Sequence, residues 1–362
     1  MPTTPSRPYT AVLIIPTGVG AAMGGYAGDA LPVARAIAQV ADTLITHPNV
    51  MNGAQLYWPL PNALYVEGYG LDQFAAGTWG LRPVHRNRIG LLLDQAIEPH
   101  ARYRHLQAAD AARATLGLEM TDYVITDAPV GVTLKTAESG ATWGTIANPD
   151  TLLRAAEKLV QLGATAIAVV VRFPDDYGSD SLQNYRRGQG VDPLAGAEAV
   201  ISHLLVRQFQ LPCAHAPALS PLPLEPTLSP KSAAEEIGHT FLPCVLAGLS
   251  RAPQLVAATA TSGGDICRDQ VDAVIVPAAA FGGSGVLHFS GTSAQIIAVE
   301  ENTTTLAVPP ECLDVRVWRV RSYLEAIGAM AAHKAGISAG AIASKMAPLQ
   351  AAPMSDNSEK AG

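Results

Sequence analysis

The stretch that decides the fold runs from residue 150 to residue 171 and reads DTLLRAAEKLVQLGATAIAVVV. Asp150 is placed to cap a helix, and Gly163 is placed to end it. One face of that helix collects the apolar residues Leu152, Leu153, Ala156, Leu159 and Val160. Thr165–Val171 follows as an unbroken apolar run, which is typical of a parallel strand covered on both faces. The stretch therefore predicts a β-α-β unit.

The same alternation continues on both sides of this unit. Further short apolar runs predict strands at Val12–Ile15, Thr43–Thr46, Ala63–Glu67, Ile89–Asp94, Tyr123–Asp127, Ala273–Val276 and Gln295–Glu300. Helical patterns follow Asp29 and Asp192, lie near Ala233–Gly238 and cover Ser322–Lys334. Strands alternating with helices predict an α/β fold, with a mostly parallel sheet covered by helices and a second, smaller α/β portion.

A proline-rich stretch separates the two predicted portions. Its prolines are Pro212, Pro217, Pro221, Pro223, Pro226 and Pro230. Such a stretch is unsuited to a regular helix or a central strand, so we interpret it as a crossover. The predicted organisation is an N-terminal α/β domain over 1–210, a crossover over 211–231, a C-terminal α/β portion over 232–349 and a disordered tail over 350–362.

Composition limits the kinds of partner. The chain has 362 residues, of which 48% are hydrophobic and 15% charged, so it can bury a large core. Its longest strongly apolar run, Ala166–Val171, is far too short to cross a bilayer, which predicts a soluble protein with no membrane partner. The net charge of −7, without a long basic run, argues against nucleic acid as a partner.

Cysteine usage and the first residues indicate the compartment. Four widely spaced cysteines do not form a disulfide framework, and Met1–Tyr9 has no signal-peptide pattern. We therefore expect a location in the reducing cytoplasm, and self-association into a homo-oligomer is left open.

Polar residues at strand ends are the first candidates for chemistry. In an open parallel sheet, ligands bind outside the carboxyl ends of the strands. His47 is the candidate proton carrier, and Glu67 or Asp94 is the carboxylate that would orient it. Arg172 is the candidate partner of an anionic group. The alternative for each residue is a polar strand end that merely meets water.

Glycine-rich turns and neighbouring polar residues are the candidates for substrate binding. They are Thr17, Gly18, Gly20, Gly24, Gly25, Asn49, Asn52, Ser262, Gly263, Gly264, Asp265, Gly282, Gly283, Ser284 and Gly285. Glycines after a strand let backbone N–H groups approach an anion, whereas the alternative is ordinary tight turns. Met23 stands where the dinucleotide fingerprint needs its third glycine, and no phosphate loop is present, so no cofactor is indicated.

These residues predict a metabolic enzyme that acts on a small phosphate- or carboxylate-bearing substrate, with the reaction unassigned. One alternative is a non-catalytic binding or assembly factor, which would show an exposed apolar patch in place of a concave pocket. The other is a zinc enzyme using Cys213, His215, His239 and Cys244. Their spacing is not a standard zinc pattern, so no metal site is predicted.

Several longer phrases carry a resemblance to a known family. They are PTGVGA at 16–21, GGYAGD at 24–29, THPNVMNG at 46–53, YVEGYG at 65–70, PCAHAPA at 212–218, FLPCVLAGLSR at 241–251 and VEENTTT at 299–305. With these motifs the chain resembles an uncharacterised domain-of-unknown-function family of oxygenic photosynthetic organisms, over about Tyr9 to Lys345. The resemblance implies a soluble protein of the cytoplasm, or of the plastid stroma in plant relatives. It implies no reaction and no catalytic residues.

Overall fold

A computed structural model of the chain describes residues 7–52, 58–175, 178–236, 241–346 and 348–349. The strands are β1 Thr10–Leu13, β2 Thr43–Thr46, β3 Ala63–Tyr65, β4 Trp79–Arg82, β5 Arg88–Leu93, β6 Glu119–Met120, β7 Val124–Ile125, β8 Val132–Thr136, β9 Thr142–Ile146, β10 Ala166–Arg172, β11 Cys213–Ala218, β12 Gln254–Ala257, β13 Val271–Pro277, β14 Gln295–Val299 and β15 Trp318–Val320. The helices are α1 Leu31–Ile37, α2 Pro48–Met51, α3 Gly68–Ala76, α4 Pro99–Leu116, α5 Pro149–Gln161, α6 Asp180–Arg186, α7 Ala195–Phe209, α8 Pro230–Glu236, α9 Leu242–Leu249, α10 Ser284–Phe289, α11 Tyr323–Lys334 and α12 Ala339–Ile342. The predicted tail 350–362 lies outside the described residues.

The larger sheet has six parallel strands in the order β15-β14-β13-β1-β2-β3. From β1 the chain proceeds to β2 and β3 on one side, whereas β13 continues to β14 and β15 on the other. The order therefore reverses between β1 and β13. Such a switch point opens a crevice at the carboxyl ends of the two strands.

The smaller parallel sheet has the order β11-β10-β5, with β6 and β7 both pairing with β5. The β-α-β unit predicted from residues 150–171 is confirmed, because α5 leads into β10 between two parallel partners. Val169 and Val170 are fully buried and point to opposite faces of the sheet. The predicted α/β class with a mostly parallel sheet is confirmed.

The sheets do not follow the predicted boundary at residue 210. Strands β1–β3 come from the predicted N-terminal domain, yet they share a sheet with β13–β15 from the C-terminal portion. The buried apolar residues form two clusters, and each cluster contains residues from both sheets. Leu13 and Leu91 belong to one cluster, and Val12 and Leu92 belong to the other.

Part of the predicted crossover is a strand. β11 contains Pro217 and forms the edge of the smaller sheet. An edge position tolerates proline because one side of the strand needs no ladder hydrogen bonds. The antiparallel pairs β4–β12 and β8–β9 were also absent from the sequence-based prediction.

Candidate active site

A cavity of about 340 Å³ lies at the switch point of the larger sheet. Its wall includes Ile14–Thr17, which follow β1, and Gly283–Gly285, which follow β13. His47 after β2 and Glu67 after β3 line the same cavity. The carboxyl ends of four parallel strands thus converge on one concavity, as the topology requires.

Helix N-termini meet this cavity, and carboxylates of the chain already occupy them. Glu67 caps α3 by accepting hydrogen bonds from Tyr69 N–H at 2.8 Å and Gly70 N–H at 3.3 Å. Asp192 accepts one from Leu194 N–H at 2.8 Å, just before α7. The Asp72 carboxyl group faces Gly285 N–H in the first turn of α10. The positive ends of these helices are therefore neutralised internally.

Glu67 and His203 form the central ion pair of the cavity. The Glu67 carboxylate is buried and contacts Nδ1 of His203. Burial by itself lowers the pKa of His203, but the carboxylates of Glu67 and Asp72 outweigh it and raise the pKa overall. Because Nδ1 faces Glu67, Nε2 is the nitrogen left to exchange a proton with a bound molecule.

A hydrogen-bonded chain extends from this pair across α7 to β11. Ser202 Oγ donates to Glu67 Oε1 at 3.2 Å, and Nδ1 of His215 lies 3.3 Å from the same hydroxyl. Nε2 of His215 lies 3.4 Å from Oε2 of Glu198. The single proton of this hydroxyl also has the carbonyl oxygens of Ala199 and Glu198 within reach, at 3.3 Å and 3.4 Å. Five side chains are thereby fixed relative to one another.

His47 occupies a separate part of the wall. It is 8% exposed, and its Nε2 accepts the N–H of Ile15 at 3.0 Å. Burial lowers the pKa of His47 to about 4, and the lone pair that Nε2 offers to Ile15 N–H is likewise a property of the neutral ring. The imidazole is therefore neutral near pH 7.

Three carboxyl groups crowd the far end of the cavity. Asp192, Glu198 and Glu235 interact electrostatically, and Tyr185 Oη donates to Glu235 Oε2 at 2.5 Å. Burial first, and the charge of Glu198 second, raise the pKa of Asp192 to about 7. Burial and the charge of Asp192 also raise the pKa of Glu235. No Lys or Arg appears among the described residues that line the cavity.

This crowding predicts a pH-dependent stability. An aspartate in an unfolded chain titrates near ~4, so between about pH 4 and pH 7 the folded protein holds a proton on Asp192 that the unfolded chain has lost. The contribution of Asp192 to the free energy of unfolding thus falls as pH rises through that window. We expect Asp192→Asn to match the wild type near pH 4 and to exceed its stability at pH 8 by about 1–3 kcal/mol.

Denaturant unfolding at pH 4.5 and pH 8 measures this difference. The matched control is Asp269→Asn, since the Asp269 side chain is 83% exposed. An Asp192→Asn variant that is less stable than the wild type at pH 8 would contradict the predicted electrostatic strain.

The structure brings together part of the predicted site. Candidates that line the cavity are Thr17, His47, Asn49, Asn52, Glu67, Gly283, Ser284 and Gly285. The start of the N-terminal turn, the segment after β2 and the turn before α10 thus line one cavity. The predicted pairing of His47 with Glu67 or Asp94 is not what the structure shows, because His47 bonds to Ile15 and Glu67 pairs with His203.

Asp94 and Arg172 follow strands of the smaller sheet and do not line this cavity. Asp94 is fully buried and accepts backbone hydrogen bonds, including one from Val130 N–H at 3.1 Å. The Arg172 guanidinium lies 3.0 Å from Glu98 and 2.5 Å from Asp175. Both side chains therefore have structural partners that occupy them.

Most glycine candidates also lie away from the cavity wall: Gly18, Gly20, Gly24, Gly25, Gly263, Gly264 and Gly282. In the first turn, Met23 N–H donates to Asn302 Oδ1 at 2.9 Å, and Gly24 N–H donates to Asp29 Oδ1 at 2.6 Å. The turn of Ser262 and Asp265 is closed by the ion pair of Asp265 with Arg82 at 2.8 Å. These backbone groups serve chain reversal.

Of the residues in the zinc alternative, His215 lines the cavity, whereas Cys213 and Cys244 are buried and do not. His239 lies outside the described residues. Among residues that the structure describes, no group of three or more His, Cys, Asp or Glu side chains is arranged to hold a metal ion.

Sequence reasoning missed Asp72, Glu198, Ser202, His203 and Glu235 as site residues. A signal was present in α7, where Glu198 and Ser202 are four residues apart and hence share a face. The helix also buries the apolar residues Ala197, Ile201 and Leu205. Two polar residues on such a helix indicate that one of its faces lines an internal polar cavity.

Gly283 offers a test of the cavity itself. A Cβ built there meets no atom within 4 Å, and its φ of −74° suits any residue. We expect Gly283→Val to fold normally and to abolish the stabilisation given by any compound that raises the melting temperature of the wild type in a metabolite screen. Gly264→Val is the control, because Gly264 is equally open but lies outside the cavity. Unchanged ligand stabilisation of Gly283→Val would place the ligand elsewhere.

The fold defines the class as an α/β protein built on a doubly wound parallel sheet. The chain belongs to the family described as Protein of unknown function (DUF3326), whose model matches residues 10–343. This confirms the family resemblance seen in the sequence. The chain is also similar to "Uncharacterized lipoprotein syc1174_c" of Synechococcus sp., with 65% identity over 336 residues, which cover 93% of this chain and 94% of that protein.

No solved structure matches the chain. Within the described residues, no helix combines the length and the apolar character needed to cross a membrane.

Proposed function

We propose that the protein is an enzyme that transfers protons on a small molecule bound in the switch-point cavity. The single observation that carries the proposal is the ion pair of Glu67 with His203 in the cavity wall. A histidine held by a buried carboxylate is the usual arrangement of a general acid–base group. In this proposal Nε2 of His203 gives and takes the proton, and Glu67 is a positioning residue.

The local structure supports this division of roles. Glu67 has both oxygens engaged, Oε2 by the N–H groups of Tyr69 and Gly70 and Oε1 by Ser202 and His203. A carboxylate so fully occupied is poorly placed to accept a proton from a substrate, but it orients His203 and stabilises the imidazolium that forms when His203 accepts a proton. The His203 side chain is 42% accessible, so it can meet a ligand.

We do not propose the anionic substrate that the sequence predicted. The described cavity wall contains five carboxylic residues and no Lys or Arg, and the adjoining helix N-termini bind carboxylates of the chain. Arg172, the cation expected to bind the anion, is paired with Glu98 and Asp175.

Isotope exchange tests the reaction class without a known substrate. The purified protein is incubated with a pool of small metabolites in D₂O, and in a parallel reaction in H₂¹⁸O, and the pool is analysed by mass spectrometry. Incorporation of either isotope into a compound by the wild type, and not by His203→Gln, supports the proposal. A compound that binds in the cavity without any incorporation favours the alternative, a non-catalytic binding protein.

We also propose a cytoplasmic location, which rests on the composition and cysteine usage of the sequence. The Synechococcus relative is named a lipoprotein, so attachment to a membrane is the competing location. Fractionation of cells that express the chain from its own gene separates the two, because a cytoplasmic protein stays in the supernatant at high and low salt.

A further inference from the structure

We infer that His47 donates a hydrogen bond to an oxygen of the substrate, and that the substrate is an uncharged polyhydroxy carbonyl compound. This inference rests on the proposed function, since it names the substrate class of the same cavity.

The tautomer of His47 is fixed by the backbone. Ile15 N–H points at Nε2 from 3.0 Å, and an N–H group requires a lone pair there. The neutral ring must then carry its proton on Nδ1. Burial, with 8% exposure, keeps the ring neutral.

The proton on Nδ1 is available to a ligand in the cavity. Nδ1 has no hydrogen-bond partner among the described residues, and it is not one of their fully buried unpaired polar atoms. Because His47 lines the cavity, the cavity is the open space that this nitrogen meets. A buried N–H without a protein partner calls for an oxygen acceptor from a ligand.

The charge of the wall disfavours an anion, and the raised pKa values of Asp192 and Glu235 weaken its attraction for a cation. An anion would find no Lys or Arg among the described lining residues and would face the carboxyl groups of Asp192, Glu198 and Glu235. Burial raises the pKa of Asp192 to about 7 and also raises the pKa of Glu235, so these carboxyl groups keep their protons to a higher pH than ordinary carboxyls and can then both donate to and accept from hydroxyls. A cavity of about 340 Å³ has room for a molecule of about three to six carbon atoms that has lost its shell of water on binding.

His47 and His203 can act on such a carbonyl compound together. Neutral His203 takes a proton from the carbon next to the carbonyl, and the C–H electron pair forms the C=C bond of an enol. The carbonyl π pair moves to oxygen, where Nδ1–H of His47 stabilises the charge. His203 then returns the proton to the former carbonyl carbon, while the hydroxyl proton of the adjacent carbon passes to the oxyanion and that C–O bond becomes the new carbonyl. The two proton transfers complete an isomerisation with no oxidant and no other reactant.

Two substitutions separate the donor from the structural role. In His47→Gln the amide oxygen can still accept Ile15 N–H, but the donor at the Nδ1 position is lost. In His47→Asn the shorter amide places a donor near Nδ1 and gives up the bond to Ile15. Two sets of probes are used, each matched in size and differing in charge. The first set is neutral dihydroxyacetone, anionic glycerate and cationic serinol. The second set is neutral fructose, anionic gluconate and cationic glucosamine.

Binding is followed by the NMR shift of the Nδ1-bound proton of His47, and turnover by deuterium uptake. We expect the neutral probe of a set to bind at least about tenfold more tightly than its charged partners. His47→Gln should keep the melting temperature and lower deuterium uptake about 100-fold, and His47→Asn should recover part of the uptake.

Tighter binding of glycerate, serinol, gluconate or glucosamine, or no binding by either neutral probe, overturns the substrate class. Equal binding by His47→Gln and the wild type overturns the role of His47. Binding of a neutral probe that depends on His47, without deuterium uptake, supports this ligand class and overturns the proposed enzyme function.

Discussion

Glu67→Gln is expected to lower the rate of isotope exchange by about 100- to 10,000-fold, the usual contribution of a general acid–base group. Glutamine can still accept the N–H groups of Tyr69 and Gly70 through its amide oxygen, so the cap of α3 survives. It lacks the negative charge that holds and charges His203. The loss should therefore appear in turnover with little change in melting temperature.

The exchange rate of whichever compound the wild type labels measures this effect. Glu311→Gln is the matched control, because Glu311 is exposed and pairs only with Arg319 in the described structure. Exchange by Glu67→Gln at the wild-type rate would remove His203 and Glu67 from the proposed mechanism.

Gly196→Ala is expected to destabilise the protein by about 2–3 kcal/mol, at the upper end of the cost of overpacking. Gly196 lies in the first turn of α7, where a Cβ would come within 2.2 Å of the Thr142 carbonyl oxygen and 2.4 Å of the Trp143 Cα. Both are backbone atoms of β9, so only separation of the helix from the β8–β9 hairpin makes room. That movement would also displace Glu198, Ser202 and His203 on the same helix.

Denaturant unfolding of Gly196→Ala measures the loss. Gly328→Ala provides the control within a helix, because Gly328 lies in α11 and a Cβ there meets nothing within 4 Å. Alanine favours helix over glycine, so this control should stabilise the protein by up to about 1 kcal/mol. Equal stability of the two variants would contradict the close packing of α7 on the hairpin.

The sequence predicted individual strands better than their partners. The Val and Ile run before Arg172 indicates a strand buried on both faces, and β10 has that environment. By contrast, the pairing of β1 with β13 joins residues such as Val12 and Val274, and no local pattern encodes a partner so far along the chain. The switch point, which positions the cavity, depends on that pairing.

The same distinction explains the candidate site. His47 and Glu67 follow strands whose carboxyl ends border the cavity. The expectation that ligands bind at the carboxyl ends of parallel strands therefore identified both residues from the sequence. Asp94 and Arg172 satisfy the same rule but belong to the smaller sheet. His203 follows no strand and lies within α7, so the partner of Glu67 becomes visible only when that helix is packed against α3.

Glycine turns were a weaker guide than strand ends. A glycine permits close approach of a backbone, but it does not reveal which acceptor the adjacent N–H groups find. In the first turn Asp29 and Asn302 are those acceptors, and both come from the chain itself. Buried backbone donors are nearly always satisfied within the protein, which favours this outcome over an anion site.

The pKa of His203 tests the central claim most directly, and NMR titration of the ring in the wild type and in Glu67→Gln measures it. The account predicts a wild-type pKa above the ordinary value of about 6.5, because Glu67 and Asp72 outweigh burial. In Glu67→Gln the pKa should fall, because burial then acts against a weaker opposing charge. An unchanged pKa in the variant, or a wild-type pKa below about 6.5, would contradict the Glu67–His203 pair as the acid–base centre.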